Sequence, residues 1–165
     1  MAESEHTDWD VIVIGGGAAG LIAAGRAAEC GARALLLEKM PRLGAKLRIT
    51  GKGRCNLTNT AGLEEFIGHF GREGRFLRNA FARFFNADLI ALMERLRVPT
   101  KVERGGRVFP ASDRAADVVA GLERYLAQTG AQVRLNEPAR GLLLRGGKVL
   151  GVRLRDGEIR ARSVI

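Results

Sequence analysis

Three glycines and one acid near the start of this chain have the types and spacing that hold a pyrophosphate. Gly15, Gly17 and Gly20 stand in the order G-x-G-x-x-G, and Glu38 follows eighteen residues after the last of them. In this arrangement the first glycine permits a tight turn, the second lets backbone approach the phosphates, and the third allows a helix to lie close on a strand. A helix starting near Ala18 would aim its free N–H groups and positive dipole end at the anion. The loop holds no lysine, which argues against a P-loop. An acid at position 38 accepts hydrogen bonds from a ribose 2′-OH and repels a 2′-phosphate, so FAD or NAD is favoured over NADP.

These residues need a strand, a turn, a helix and a second strand to position them. Val11–Ile14 is a short, mostly β-branched apolar run of the kind buried on both faces of a parallel sheet. Ala23, Ala24, Ala27 and Ala28 would let the helix lie close to the sheet, and Gly31 is placed to cap its C-terminus. The second strand is expected at Ala34–Leu37, ending in Glu38. Together they spell a βαβ unit.

At 165 residues and 46% hydrophobic content the chain has the material for one globular domain. No apolar run approaches the roughly 20 residues that span a bilayer. The first ten residues are polar and acidic, unlike a secretory leader, so a cytoplasmic protein without membrane attachment is expected. Cys30 and Cys55 form no C-x-x-C and no zinc-like spacing with His6 or His69, which excludes a disulfide framework and predicts no metal site. The formal charge of +9 raises nucleic-acid binding. Against it, 22 of the 27 basic residues are arginines scattered singly, without a basic run or interleaved aromatics.

Past the nucleotide motif, Pro41–Asn59 is rich in glycine and reads as a long ordered loop with one short strand. Gly51, Gly53, Arg54, Asn56, Thr58 and Asn59 could face a ribityl or flavin edge, or form a self-stabilised surface turn; spacing leaves both open. Cys55 within this cluster reads as a small buried hydrophobe rather than a nucleophile. Helices are expected over Leu63–Phe70 and Gly74–Val98, with Phe76, Ala80, Phe81 and Phe84 on one core-facing stripe and Asn86 capping a new helix that carries Leu89, Leu92, Met93 and Leu96. His69 is expected at the surface or as a cap. Two short strands are expected around Gly105 and Gly106, then a helix from Asp113 to Gln128, a third parallel strand at Gln132–Leu135 and a β-meander from Ala139 onward. Ser163-Val164-Ile165 reads as the start of a further buried strand.

Gly15, Gly17, Gly20, Ala24, Gly31 and Glu38 resemble the FAD-binding βαβ unit of the glutathione-reductase-like flavoproteins. Two longer strings, KLRITGKGRCNLTN (Lys46 to Asn59) and GRVFPASDRAADVV (Gly106 to Val119), resemble the HI0933-like, or BaiN/RdsA-type, family of bacterial NAD(P)/FAD-dependent oxidoreductases. The likeness implies an α/β fold, a Rossmann-type FAD-binding domain with a parallel sheet, a β-meander crossover and a helical insertion at about residues 60–110. It also implies that this is the N-terminal portion of a longer chain, with a polar tail at 1–9 and the FAD domain at 10–165. By the same resemblance Gly15, Gly17, Ala18 and Ala19, with Gly20 completing the motif, would hold the pyrophosphate, and Glu38 with Lys39 the adenosine ribose. Lys46, Gly53, Arg54, Cys55 and Asn56 would line the ribityl and isoalloxazine side, and Ala139 would meet the adenine through its backbone.

The expected function is a flavoprotein oxidoreductase acting on a small molecule, with FAD as cofactor and NAD(P)H as a transient reductant. The flavin would supply the redox chemistry, so no acid, base or nucleophile is singled out. The alternatives are a flavin-dependent RNA-modifying enzyme and a non-catalytic nucleotide-binding fragment.

Overall fold

The computed structural model describes residues 8–165. Most of the polar tail expected at 1–9, and His6 with it, lies outside the described residues. The elements in chain order are β1 (Trp9–Ile14), α1 (Ala18–Glu29), β2 (Ala34–Leu37), β3 (Thr58–Asn59), α2 (Leu63–Gly68), α3 (Arg78–Phe81) and α4 (Asn86–Arg95). There follow β4 (Thr100–Glu103), β5 (Arg107–Pro110), α5 (Ala115–Thr129), β6 (Gln132–Arg134), β7 (Gly141–Arg145), β8 (Lys148–Arg153) and β9 (Glu158–Val164). They form two compact units, one made of the chain up to Leu47 with Leu122–Ile165, the other of Arg48–Gly121.

The first unit is a Rossmann-type α/β layer built on a six-stranded sheet in the order β6-β2-β1-β9-β8-β7. β6, β2, β1 and β9 run parallel, while β9, β8 and β7 form the antiparallel meander. All four residues of β2 are buried, as a parallel strand covered on both faces requires. Ile12, Leu35 and Leu37 meet Val152, Ile159 and Ala161 in one core cluster. Each large aliphatic side chain in it contributes on the order of 2 kcal/mol.

α1 ends as its sequence dictates. Gly31 takes φ +86°, its N–H bonds Ala28 O at 2.9 Å, and Ala32 N–H bonds Ala27 O at 3.1 Å. This pair of bonds satisfies the last carbonyls of the helix and needs a residue that tolerates positive φ. Close packing of α1 on α5 rests on Gly25, where a Cβ would come within 2.2 Å of the Tyr125 ring.

In the second unit β3, β5 and β4 form an antiparallel sheet, on which α4 packs. Leu92, Met93, Leu96, Val98, Val108 and Phe109 are buried there. Gly105 and Gly106, at φ +77° and +72°, turn the chain from β4 into β5, as expected from their spacing.

Several expectations need correction. β1 begins at Trp9, two residues before the expected Val11. Ser163-Val164-Ile165 is not a new strand: Ser163 and Val164 close β9, in register with Val11 and Ile12 of β1, and Ile165 extends the ladder to Ile12 and Ile14. The loop after Met40 carries 3₁₀ turns over Leu47–Gly53, interrupted at Thr50–Lys52, besides the short strand β3. Of the helical stretch expected over Gly74–Val98, the new helix at Asn86 forms as α4, but the part before it is a 3₁₀ segment at Gly71–Leu77 and the short α3. Gly74 abuts α2 so closely that a Cβ would meet Ile67 O at 2.3 Å. The aromatic stripe fails with that earlier part, leaving Phe76 86% exposed and Phe84 40% exposed. Phe81 packs instead with Phe66, Phe70 and Phe85. Asn86 is the first residue of α4 rather than its cap; its amide nitrogen donates to the carbonyls of Asn59 and Ala61. α5 starts at Ala115, not Asp113, because Asp113 sits at φ +57° in a turn bonded to Pro110 O.

Candidate functional site

The glycine loop joins the end of β1 to α1. Gly15 takes φ +102° and donates to Leu37 O at 2.8 Å, which ties the turn to β2. Gly20 lies against the same turn, and a Cβ there would fall 1.9 Å from Gly15 O. This is the close helix-to-strand approach that the third glycine of the motif permits. Gly17 is different: a Cβ built on it meets nothing within 4 Å, and its φ of −83° is open to any residue. The space beside Gly17 therefore belongs to no part of the described protein.

That space lies at the N-terminus of α1, which has no side-chain cap and no acid in its first turn. The first N–H groups of a helix have no intrahelical acceptor. Ala18 and Ala19 are exposed. The geometry provides backbone donors, a positive dipole end and room, which suits a diphosphate and needs no cationic side chain.

Glu38 directly follows β2 and is buried, at 9% exposure. Its Oε2 accepts from Gly16 N–H at 2.6 Å and its Oε1 from Met40 N–H at 2.7 Å. The backbone around it is tied as firmly: Gly44 donates to Gly16 O at 2.8 Å, and Glu38 N–H to Arg134 O at 2.9 Å. The carboxylate thus braces the glycine loop from below. A carboxylate has about four acceptor sites, and these two bonds use half of them.

This bracing role is absent from the sequence reading, and so is Gly16. A Cβ at Gly16 would lie 2.3 Å from Leu43 Cδ2 and 3.1 Å from Glu38 Oε2. The available signal was the uninterrupted triplet Gly15-Gly16-Gly17, where the motif asks only for its outer two. Lys39 and Lys46 are exposed in the same unit, and Ala139 is half-buried between β6 and β7. Its neighbours Pro138 and Arg140 line a hollow of about 540 Å³ with Leu135, Asn136 and Arg155.

Gly53, Arg54, Cys55 and Asn56 belong to the second unit. Arg54 donates from Nε to Asp113 Oδ1 at 2.8 Å and pairs through a terminal nitrogen with Glu103. Its guanidinium carbon lies 4.2 Å from the centre of the Phe109 ring. Lys101 pairs with Asp113 and completes a four-residue network. The Glu103 carboxylate, then Asp113, raises the Arg54 pKa above its ordinary value, while Lys101, then Arg54, lowers that of Asp113.

Cys55 is buried with φ +63°, and its N–H bonds Thr50 O at 3.0 Å. Burial pushes its thiol above the ordinary range, offset in part by a hydrogen bond to Thr50. The thiol stays neutral near pH 7, as expected of a buried hydrophobe rather than a nucleophile. Cys30, by contrast, is exposed at the end of α1. Asn56 in its satisfied orientation donates to the carbonyls of Thr58 (3.1 Å) and Val108 (3.2 Å), anchoring the loop to β5. His69 is exposed at the C-terminus of α2.

Among the described residues no group of three His, Cys, Asp or Glu side chains could hold a metal ion. No described helix is long and apolar enough to cross a membrane.

A model of the HI0933-like protein Rossmann domain matches residues 9–165. The chain is 37% identical over 142 residues to the 3-dehydro-bile acid delta(4,6)-reductase of Clostridium scindens, covering 81% of this chain and 34% of that protein. It is 32% identical over 111 residues to the ribosomal RNA dihydrouridine synthase of Escherichia coli, covering 67% of this chain and 27% of that protein. Among solved structures it matches the 3-ketosteroid-delta4-(5alpha)-dehydrogenase of Rhodococcus jostii with a TM-score of 0.68 at 16% identity. That match covers 99% of this chain and 46% of the other, and it bears on the fold alone. The chain spans about a third or less of the length of the two curated relatives.

Proposed function

We propose, because this chain belongs to the HI0933-like protein Rossmann domain family, that it is the FAD-holding portion of a flavin-dependent oxidoreductase. The observation that carries this reading is the open space beside Gly17 at an uncapped helix N-terminus, under a loop that Glu38 braces. The N–H groups of Gly17, Ala18 and Ala19 would bind the diphosphate, with Gly15 and Gly20 shaping the turn. The remaining acceptor sites of Glu38, with Lys39 beside it, would hold the adenosine ribose, and the backbone at Ala139 the adenine. Lys46, Gly53, Arg54, Cys55 and Asn56 would serve the ribityl and isoalloxazine portion. Their share is positional: Arg54 is held by two carboxylates, and Cys55 takes no part as a nucleophile.

The flavin, when bound, supplies hydride and electron transfer. This chain's own residues bind and orient it. NAD(P)H is the reductant in this reading, and a small molecule the substrate. The test is the visible spectrum of the chain after mixing with FAD and desalting, followed by anaerobic addition of NADH or NADPH. A retained flavin band that the nicotinamide bleaches supports the proposal; complete loss of flavin on desalting contradicts it.

A second reading, an RNA-modifying flavoprotein, is favoured by the likeness to the Escherichia coli dihydrouridine synthase and by the formal charge of +9. It predicts RNA that co-purifies and is released steeply with salt.

A further inference from the structure

Within the second unit, α2, β3 and the β4–β5 hairpin line a half-open cavity of about 470 Å³. This size falls in the range of small-molecule pockets. One wall is aromatic. The Phe66 and Phe70 ring centroids lie 6.0 Å apart and tilted by 32°. Phe66 is held from behind by the edges of Phe81 at 5.4 Å and Phe85 at 5.2 Å. Phe70 is 49% exposed, an apolar ring face left in water.

The opposite wall is polar. Arg107 stands on β5 in register with Asn59 of β3. Its Nε donates to Arg104 O at 3.2 Å, and its guanidinium carbon lies 5.7 Å from the centre of the Phe109 ring, which leaves its terminal nitrogens as donors. Asn59 is spent on building the rim, since its amide nitrogen donates to Gly105 O and its amide oxygen accepts from Ala61 N–H. Gly106 must stay bare for that, as a Cβ there would lie 2.7 Å from Asn59 Oδ1. Glu65 on α2 and His69 just past its end stand one turn apart, and both line the cavity.

We infer that this cavity binds a flat, largely apolar ring compound bearing a carboxylate and a ring hydroxyl. The rings of Phe66 and Phe70 stack the apolar body, because offset and tilted aromatic contacts are favourable where water is displaced. Arg107 takes the carboxylate through its terminal guanidinium N–H groups, a charge-assisted and directional contact. Glu65 accepts from the hydroxyl, and its negative charge turns the ligand's anionic end toward the hairpin wall. Glu65, Phe66, Phe70 and Arg107 are not among the residues assigned to the flavin, so binding here is read separately from flavin retention.

The probe is 6-hydroxy-2-naphthoate, titrated into the full chain by its own fluorescence, with neutral 2-naphthol for comparison. Saturable binding of both is expected. Arg107→Gln should weaken the naphthoate about tenfold and leave 2-naphthol within about twofold. Arg107→Lys should recover the naphthoate to within about threefold of the native protein. Phe70→Ala should weaken both probes by about fivefold. Arg107 is exposed, so unchanged thermal melting is expected of both its variants, while Phe70→Ala, which loses its contacts with Phe66 and Phe81, should melt lower but still in one cooperative transition well above the assay temperature. The inference is overturned by a lack of saturable binding, by equal losses of both probes in Arg107→Gln, or by unchanged binding in Phe70→Ala.

Discussion

Replacing Glu38 by Gln tests whether the glycine loop owes its shape to a carboxylate. In the native protein its two oxygens accept separately from Gly16 and Met40 N–H groups at 2.6 and 2.7 Å. A glutamine keeps one acceptor and turns an NH₂ donor against the other amide. The buried Gly16–Glu38 bond is worth about 1.5 to 3 kcal/mol as a hydrogen bond to a charged group, and a stranded buried N–H costs a similar amount. A loss of about 2 to 3 kcal/mol should lower the melting temperature by roughly 5 to 10 °C for a chain of this size. Glu38→Ala removes both acceptors and should fall further. Thermal melting followed by circular dichroism reads the effect. A Glu38→Gln protein that melts within about 1 °C of the native one, or a Glu38→Ala protein no less stable than Glu38→Gln, would refute the bracing role.

Gly20→Ala should lose about 3 kcal/mol or more in urea unfolding, because its Cβ would sit 1.9 Å from Gly15 O in backbone that cannot move aside. The Asp113 network makes a pH-dependent contribution. Lys101 and Arg54 hold the Asp113 pKa below its ordinary value of 3.8, so its contribution is complete above that value and disappears as pH falls through the lower, folded-state value. Melting temperatures taken downward from pH 5 should drop more steeply for the native protein than for Asp113→Asn; parallel curves would contradict the pairing. A colorimetric thiol reagent at neutral pH should modify exposed Cys30 quickly and reach buried, neutral Cys55 only after denaturant is added.

The βαβ unit was legible because each of its parts is a local signal. The apolar run of β1, the motif glycines, the alanines of α1 and the Gly31 stop all act within a few residues of themselves. The meander was legible from its Gly-Gly and Asp-Gly turns, its last strand over Glu158–Val164 included, but that strand's second partner was not. That β9 turns back to lie parallel with β1 is a choice of sheet order, which alternation along one strand does not encode. The phenylalanine stripe misled for a related reason. Its spacing fits a helix, yet the chain forms a 3₁₀ segment, a four-residue α3 and extended backbone at Phe85 before α4, and the rings regroup around Phe66. Glu38 was found for its distance from the glycines, while its bonds to Gly16 and Met40 depend on how the loop folds back over β2. The carboxylates that hold Arg54 lie 49 and 59 residues away in sequence, beyond any local pattern.

The most direct measurement is FAD binding by Gly17→Ala beside the native chain, followed through quenching of flavin fluorescence. A methyl group at Gly17 meets no protein atom within 4 Å, so stability should hold within about 0.5 kcal/mol. It would occupy the space assigned to the diphosphate, and FAD affinity should fall at least about tenfold. Equal FAD binding by the two proteins would contradict the assignment of that space to the cofactor.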